Sequence, residues 1–374
     1  MKIFEQFRNG NHEFLGTAVE AIDVLLSFAT LRKASDIHCD PQLDHISLRL
    51  RIDGNIESIG IFPKRILEEM IARLKILSGV RTDIHSIPQD GRWQTKIEGE
   101  SYNIRISFMP TYHGENAVMR LLPTKISHQL SFSRLGFTPD HVRSFQNALQ
   151  LTSGLILVTG PTGSGKTTTL HTCISLKSRE PLSIITLEDP IEYEIPSVRQ
   201  VHIQHTYGVT FASGLRSALR QDPDIIMLGE IRDAETARVA IHTALTGHLV
   251  LSTLHTNSAL EAIPRLVDMG IDPYLLASTL KLVTAQRLVR TYCMTCSGDG
   301  CDDCRSSGYT GRSVIAEICE INSGMKTLIN ARESVSNCLA YAFLQGFQPM
   351  IDDGREKIEW GITSREEVMR VLSE

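Results

Sequence analysis

The segment of residues 160–167, GPTGSGKT, constrains the fold of this chain more than any other. It fits the phosphate-loop pattern GxxxxGK[ST], and it follows an apolar run, residues 155–159, that predicts a buried parallel strand. Its glycines let successive backbone N–H groups point at phosphate oxygens, Lys166 places a positive charge at the β and γ phosphates, and Thr167 offers its hydroxyl to Mg²⁺. We therefore expect an ATP site on a strand–loop–helix unit, with the helix over residues 167–176.

The order of the apolar runs predicts the fold class, which is α/β. After residue 140, short β-rich runs alternate with helical stretches, as is typical of a parallel sheet covered by helices. We expect a RecA-like P-loop ATPase core over residues 140–374 with helices over residues 322–374, a small α/β, PAS-like domain over residues 1–123, and a linker over residues 124–139. The predicted helices of the first domain cover residues 16–28 and 64–77. The predicted strands cover residues 46–52, 93–97, 102–108 and 117–122 in the first domain and 155–159, 183–187, 225–228 and 249–254 in the second.

Composition limits the cellular setting and the partners. The formal net charge is −5 and the sequence pI is about 6.2, so the chain as a whole is not attracted to a nucleic-acid backbone, and we expect no direct nucleic-acid binding. Residues 1–14 lack the apolar core of a signal peptide, and no segment has the ~18 apolar residues of a membrane span. We expect a cytoplasmic protein with reduced cysteines, the clustered ones binding metal.

A second chemical signal follows the strand predicted at residues 225–228. In P-loop enzymes, an acid at the end of such a strand holds hydrated Mg²⁺ or orients the attacking water. Gly229 stands where many of these enzymes have the magnesium-linked aspartate, so Glu230 takes either duty or both. The alternative is a helix-capping or solvated acid. Acids after the strand at residues 183–187 are further candidates for the magnesium and water shell: Glu188, Asp189 and Glu192.

Other polar residues lie near the same predicted sheet edge. His255 follows the strand at residues 249–254, and although a lone histidine is more often structural, this position favours contact with the γ-phosphate. Arg216 and Arg220 share a helix face; most such pairs face solvent, but an arginine that reaches a γ-phosphate across a subunit interface stabilises transition-state charge. The predicted nucleotide ligands, with Thr167 also on magnesium, are Gly160, Pro161, Thr162, Gly163, Ser164, Gly165, Lys166, Thr167, Thr168, Glu188, Asp189 and Glu192.

Two Cys-x-x-Cys pairs form the third signal. Cys293 and Cys296 are separated from Cys301 and Cys304 by residues 297–300. Four thiolates suit a tetrahedral Zn²⁺ with bonds of about 2.3 Å, and a redox pair is the alternative. The short link predicts a compact hairpin over residues 293–304 that holds a structural metal with no open position for water. Four isolated cysteines are expected in the cores: Cys39, Cys173, Cys319 and Cys338.

With these motifs, the chain resembles the secretion and type IV pilus assembly ATPase superfamily, which includes the E-type ATPases of type II secretion. The resemblance rests on residues 34–38 (ASDIH), 51–54 (RIDG), 88–92 (PQDGR), 186–193 (TLEDPIEY), 229–233 (GEIRD) and 247–257 (GHLVLSTLHTN). It implies that Glu230 is the catalytic glutamate and that His255 contacts or senses the γ-phosphate. The catalytic set that it implies is Lys166, Glu230 and His255, together with Arg105 and Arg120 from the N-terminal domain and Arg216 and Arg220 from the core.

The resemblance also implies an oligomeric state, cofactors, a membrane partner and a cellular role. We expect a homohexamer with ATP, Mg²⁺ and Zn²⁺ as cofactors, held at the cytoplasmic face of the membrane by a polytopic platform protein. The four cysteines resemble the assembly and secretion branch, while the early start of the chain and its short cysteine loop resemble the competence ATPases of Gram-positive bacteria. We therefore expect a motor that assembles a pilus-like pseudopilus for competence (DNA uptake) or type II secretion. The alternatives are a pilus retraction motor, a nucleotide-gated scaffold with little hydrolysis, and a zinc-bearing nucleic-acid translocase, which the acidic balance disfavours.

Overall fold

The computed structural model describes residues 16–124 and 131–373, and at Thr206 the backbone alone. The chain divides into two compact units, residues 1–127 and 128–374. The first unit contains α1 (Ala18–Leu31), β1 (Asp36–Pro41), β2 (His45–Ile52), β3 (Asn55–Pro63), α2 (Leu67–Ser78), β4 (Gln89–Ile97), β5 (Glu100–Thr111) and β6 (Gly114–Pro123).

The strands of the first unit form one six-stranded antiparallel sheet in the order β3-β2-β1-β6-β5-β4. Along β2, buried and partly buried positions alternate, so that Ile46, Leu48 and Leu50 face the same side. Apolar residues of α1 and α2 pack with that side of the sheet in a single core. This arrangement confirms the small α/β domain that the sequence predicts.

The second unit holds the remaining elements. Its first half contains α3 (Phe132–Leu135), α4 (Pro139–Leu149), β7 (Gly154–Thr159), α5 (Lys166–Lys177), β8 (Ile184–Glu188), β9 (Arg199–His202), α6 (Phe211–Ala218), β10 (Ile225–Leu228), α7 (Ala234–Leu245) and β11 (Leu249–Leu254). Its second half contains α8 (Ala262–Asp268), α9 (Pro273–Thr279), β12 (Leu280–Tyr292), β13 (Tyr309–Glu320), α10 (Ser323–Asn330), α11 (Val335–Leu344), α12 (Met350–Glu359) and α13 (Arg365–Leu372).

The second unit is built on a seven-stranded sheet in the order β13-β12-β7-β11-β10-β8-β9. Every neighbouring pair is parallel except β12 and β13. Residues of β7 alternate between two cores, with Leu155 and Leu157 in one and Ile156 and Val158 in the other. A core on each face explains why β7, β10 and β11 are buried at every position. The loops after these parallel strands meet at one edge of the sheet.

Residues 132–139 differ from the linker that we expected there. Phe132 and Phe137 are buried in the second unit, where their rings meet edge-on with centroids 5.8 Å apart. Two aromatic side chains in a short polar segment produce no period, which is why the pattern did not reveal this anchor. Residues 125–130 of the predicted linker lie outside the described residues.

The sequence prediction also omitted five strands, β1, β3, β9, β12 and β13. Strand β12 shows why: it is buried on both faces and carries polar residues such as Thr284 and Gln286 inside the core, so apolar and polar residues do not alternate along it.

The C-terminal part is helical, as predicted for residues 322–374. Asn322, Ser334 and Ser364 cap α10, α11 and α13, because each side chain accepts a backbone N–H from the first turn. Among the helices that are described, none combines the length and the apolar character needed to cross a lipid bilayer.

Candidate nucleotide site

The phosphate loop, His255 and Glu230 lie at neighbouring strand ends of the second unit. The loop follows β7, His255 follows β11 directly, and Glu230 lies two residues beyond the end of β10. Strand β11 lies between β7 and β10, pairing through Leu254 with Thr159 and through Ser252 with Leu228. The fold therefore brings a phosphate loop, an acid and a histidine to the edge of the sheet where α/β proteins bind ligands.

Backbone geometry shapes the phosphate loop. Gly163 and Gly165 have φ values of 83° and 85°, a left-handed conformation that other residues rarely adopt. Helix α5 begins immediately afterwards, so its first N–H groups face the loop. The ammonium group of Lys166 donates to the carbonyl oxygens of Gly160 at 2.9 Å and of Pro161 at 2.8 Å. Phosphate oxygens are charged acceptors, so a bound phosphate can replace these two carbonyl oxygens as the hydrogen-bond partner of Lys166.

The surroundings of Lys166 lower the pKa of its ammonium group. Burial lowers the pKa of the Lys166 ammonium to about 8, and the nearby carboxylate of Glu230 opposes this change only in part. A bound nucleotide would place further negative charge against the ammonium and raise its pKa again.

This difference in pKa makes nucleotide binding depend on pH. Below about pH 7 Lys166 is protonated with or without nucleotide, so affinity should be level there. Above about pH 8 the free protein must take up a proton to bind, so we expect affinity for labelled ADP to fall by up to about tenfold per pH unit. Equilibrium titrations between about pH 6.5 and 9.5 measure this. Lys166→Arg, which stays charged throughout, should show no such fall; a wild-type affinity that is constant up to pH 9.5 would contradict the prediction.

The carboxylate of Glu230 is held by two basic side chains. Its Oε2 is 2.6 Å from Nε of Arg232 and 3.7 Å from Nε2 of His255, and its side chain is only 14% exposed. Burial and the charge of Lys166 lower the pKa of His255, and together they outweigh the opposing effect of Glu230. The imidazole is therefore neutral at neutral pH, so its contact with Glu230 is not an ion pair. Arg232 had no role in the sequence prediction, although it lies only two residues after Glu230.

The acids after β8 lie in two different environments. Glu188 is buried; its Oε2 lies 2.9 Å from Nε2 of His171, and its Oε1 accepts from Thr186 at 2.5 Å and from Gln200 at 3.0 Å. Burial raises the pKa of the Glu188 carboxyl, but these hydrogen bonds outweigh it and leave the pKa below its usual value.

Glu188 thus serves as an ionised anchor inside the fold, and its oxygens are already engaged. Asp189 is more exposed and lies 3.6 Å from Nε2 of His205. The magnesium role suggested for Glu188, Asp189 and Glu192 stays a prediction, and Asp189 is placed better for it than Glu188. His171 had no part in the sequence prediction, since its contact with Glu188 depends on how α5 packs on β8.

The arginines of the predicted catalytic set make local contacts. In the second unit, Arg216 forms an ion pair with Glu235 at 2.6 Å, and Arg220 donates to the Arg216 carbonyl and to Ser217, each at 3.0 Å.

In the first unit, Arg105 and Arg120 are directly paired across β5 and β6. Nε of Arg120 donates to the buried carboxylate of Asp36 at 2.8 Å. Like charges opposite each other destabilise a sheet, and the Asp36 carboxylate offsets this for Arg120. The nucleotide role of these arginines stays a prediction.

The four clustered cysteines form a compact group directly after β12. Their ligand atoms all lie within 4.8 Å of one another, and three Sγ–Sγ distances are 3.6 to 3.8 Å. A tetrahedron of sulfurs with metal bonds of about 2.3 Å has an edge of about 3.8 Å, so the spacing fits Zn²⁺.

Backbone donors support the sulfurs of this group. Gly300 N–H points at Sγ of Cys296 at 3.2 Å, and the N–H groups of Cys301 and Gly308 point at Sγ of Cys304 at 3.2 and 3.3 Å. Such donors stabilise thiolates, so the group is chemically suited to a cation.

The sequence of this chain is similar to those of secretion and pilus proteins. A family model described as "Type II/IV secretion system protein" matches residues 12–370. Type II secretion system protein HxcR of Pseudomonas aeruginosa is 41% identical over 361 residues, which cover 94% of this chain and 77% of HxcR. Type IV pilus assembly ATPase TfpB of Acinetobacter baylyi is 41% identical over 382 residues, which cover 95% of this chain and 65% of TfpB.

Among solved structures, the chain is similar to the pilus retraction motor PilT with bound ADP. The two share 28% sequence identity, with a TM-score of 0.69 over 94% of this chain and 96% of that one. At this coverage the similarity extends over both units of the chain.

Proposed function

The chain belongs to the type II/IV secretion system protein family and is an ATPase, and we propose that it is the motor that assembles a pilus-like filament of a secretion or pilus machine. The observation that carries this proposal is the convergence of the phosphate loop, Glu230 and His255 at the adjacent ends of β7, β10 and β11. The site thus contains the parts that phosphoryl transfer to water requires: a phosphate cradle, a lysine and an acid.

In the proposed reaction, the loop N–H groups and Lys166 bind the β and γ phosphates and Thr167 lies at the start of α5 beside them. Glu230 accepts the proton of the attacking water. Since Arg232 and His255 both contact Oε2 of this carboxylate, we assign the water to Oε1. Neutral His255 can donate to a γ-phosphate oxygen and so report its presence.

Two metals fit residues of this chain. Thr167 would hold the Mg²⁺ that accompanies ATP, and that metal would neutralise phosphate charge. Cys293, Cys296, Cys301 and Cys304 would hold a Zn²⁺ that cross-links the hairpin, leaving no coordination position open for chemistry.

The assembly that we propose is a homohexamer at the cytoplasmic face of the membrane, bound to a polytopic platform protein. Arginines that reach a neighbouring nucleotide are a common device in such rings, and Arg105, Arg120, Arg216 and Arg220 are the candidates here. For Arg216 to take that role, its guanidinium group must leave the ion pair with Glu235 and contact a phosphate instead. Relatives of type II secretion and of pilus assembly are similar to this chain to the same degree, so the proposal commits to filament assembly, and the competence role stays a prediction.

A gene deletion in the host tests this function. Loss of the chain should abolish cell-surface filaments, seen by electron microscopy, and pilin in the sheared surface fraction. The wild-type gene should restore both, and Glu230→Gln should restore neither. An excess of filaments after deletion would instead identify a retraction motor, the activity named for PilT, and an unchanged filament count would exclude assembly and retraction of cell-surface filaments.

A further inference from the structure

A glutamine from a distant strand contacts the phosphate loop. Gln286 lies in the middle of β12, directly after Ala285, which pairs with Thr159 at the end of β7. Its side chain is fully buried. Because β12 runs parallel to β7, this side chain emerges beside the loop that continues from β7.

Both polar atoms of the Gln286 side chain are hydrogen-bonded within the nucleotide site. Nε2 donates to the carbonyl oxygen of Ser164 at 2.7 Å, and Oε1 accepts from the hydroxyl of Thr169 at 2.9 Å. Since a carbonyl oxygen can only accept, the contact with Ser164 fixes which end of the amide is the NH₂ group. The glutamine thus joins the loop to the first turn of α5.

The backbone of the phosphate loop packs so closely on β12 that a side chain at two of its glycines would contact Gln286. A Cβ at Gly160 would be 2.6 Å from the Gln286 carbonyl oxygen, and one at Gly165 would be 3.2 Å from Nε2 of Gln286. The loop glycines therefore serve close packing on Gln286 as well as backbone freedom.

The hydrogen bond to Ser164 also sets the direction of an amide. The peptide between Ser164 and Gly165 is trans, so its C=O and N–H point in opposite directions. With the Ser164 carbonyl turned toward Gln286, the Gly165 N–H is turned away from the Gln286 side chain.

We propose that Gln286 is a positioning residue for nucleotide: it holds the Ser164–Gly165 peptide in the orientation that binds phosphate before the nucleotide arrives. The inference rests on the nucleotide site proposed above. Pre-orientation removes an ordering cost from binding, so its loss should weaken nucleotide affinity more than it slows the chemical step.

Gln286→Met tests the proposal, because it keeps the length of the side chain and removes both hydrogen bonds. We expect the dissociation constant for labelled ADP and the KM for ATP to rise roughly tenfold, with kcat within about threefold of wild type. The matched control is Thr284→Val. Thr284 is buried on the same face of β12, and its hydroxyl has no hydrogen-bond partner among the described residues.

A second variant keeps the test decisive if Gln286→Met folds poorly. Thr169→Val removes the other partner of Gln286 and should weaken ADP binding in the same direction; in the double variant the two losses should not add. ADP affinities equal to that of Thr284→Val, or losses that add fully, would overturn the proposal. Wild-type protein that fails to bind ADP at all would instead overturn the nucleotide site itself.

Discussion

Replacing Glu230 with glutamine is expected to lower kcat for ATP hydrolysis by about 10²- to 10⁴-fold while ADP still binds. Glutamine has the same shape and can still contact Arg232 and His255, but it cannot accept a proton from water. The protein should therefore fold, bind nucleotide and stop before the chemical step. Phosphate release and ADP titration on the same preparation separate the two effects.

A matched acid-to-amide change controls for the loss of charge. Glu180 forms an ion pair with Lys177 at 2.6 Å at the end of α5, on the surface of the same unit. Exposed pairs of this kind contribute little to stability, so Glu180→Gln should hydrolyse ATP at the wild-type rate. Turnover by Glu230→Gln equal to that of Glu180→Gln would remove Glu230 from the mechanism.

Removing metal from the four-cysteine group is expected to unfold the hairpin locally and leave both cores intact. Residues 293–304, the hairpin, have no buried apolar side chains apart from Cys293 and Cys304, so metal–sulfur bonds would be the main contribution to their order. In the Cys301→Ser, Cys304→Ser double variant, or after a strong zinc chelator, amide exchange across this segment should accelerate by about 10³-fold or more. Hydrogen-exchange mass spectrometry measures this together with the zinc content of the wild-type protein.

The sheet provides an internal control for this experiment. Strand β7 and its neighbours are buried in two hydrophobic cores and contain no cysteine of the group, so their exchange should not change. Protein that contains no zinc when it is produced with zinc present, or a hairpin equally protected after chelation, would contradict a structural metal site.

The main site residues could be predicted because their signals are local. The phosphate loop shows its spacing and its strand and helix within about twenty residues. Glu230 and His255 follow apolar runs that end at one edge of a parallel sheet, and topology brings such ends together.

Gln286 could not be predicted, because its contacts join residues 117 and 122 positions apart and nothing in the sequence near residue 286 resembles a ligand. For Glu188, the sequence suggested a ligand where the structure shows a buried contact. Its place at a strand end suggested a metal ligand, but the packing of His171 against it engages the carboxylate inside the fold. Both cases depend on side-chain packing between elements, which periodicity does not encode.

Whether the protein is an ATPase motor is decided by Mg²⁺-dependent ATP hydrolysis of the wild-type chain, measured over a range of protein concentrations. An ATPase motor that works as a ring should show specific activity that rises with concentration and requires Mg²⁺. ATP binding without Mg²⁺-dependent hydrolysis at any concentration would contradict the motor and would describe a nucleotide-gated scaffold instead.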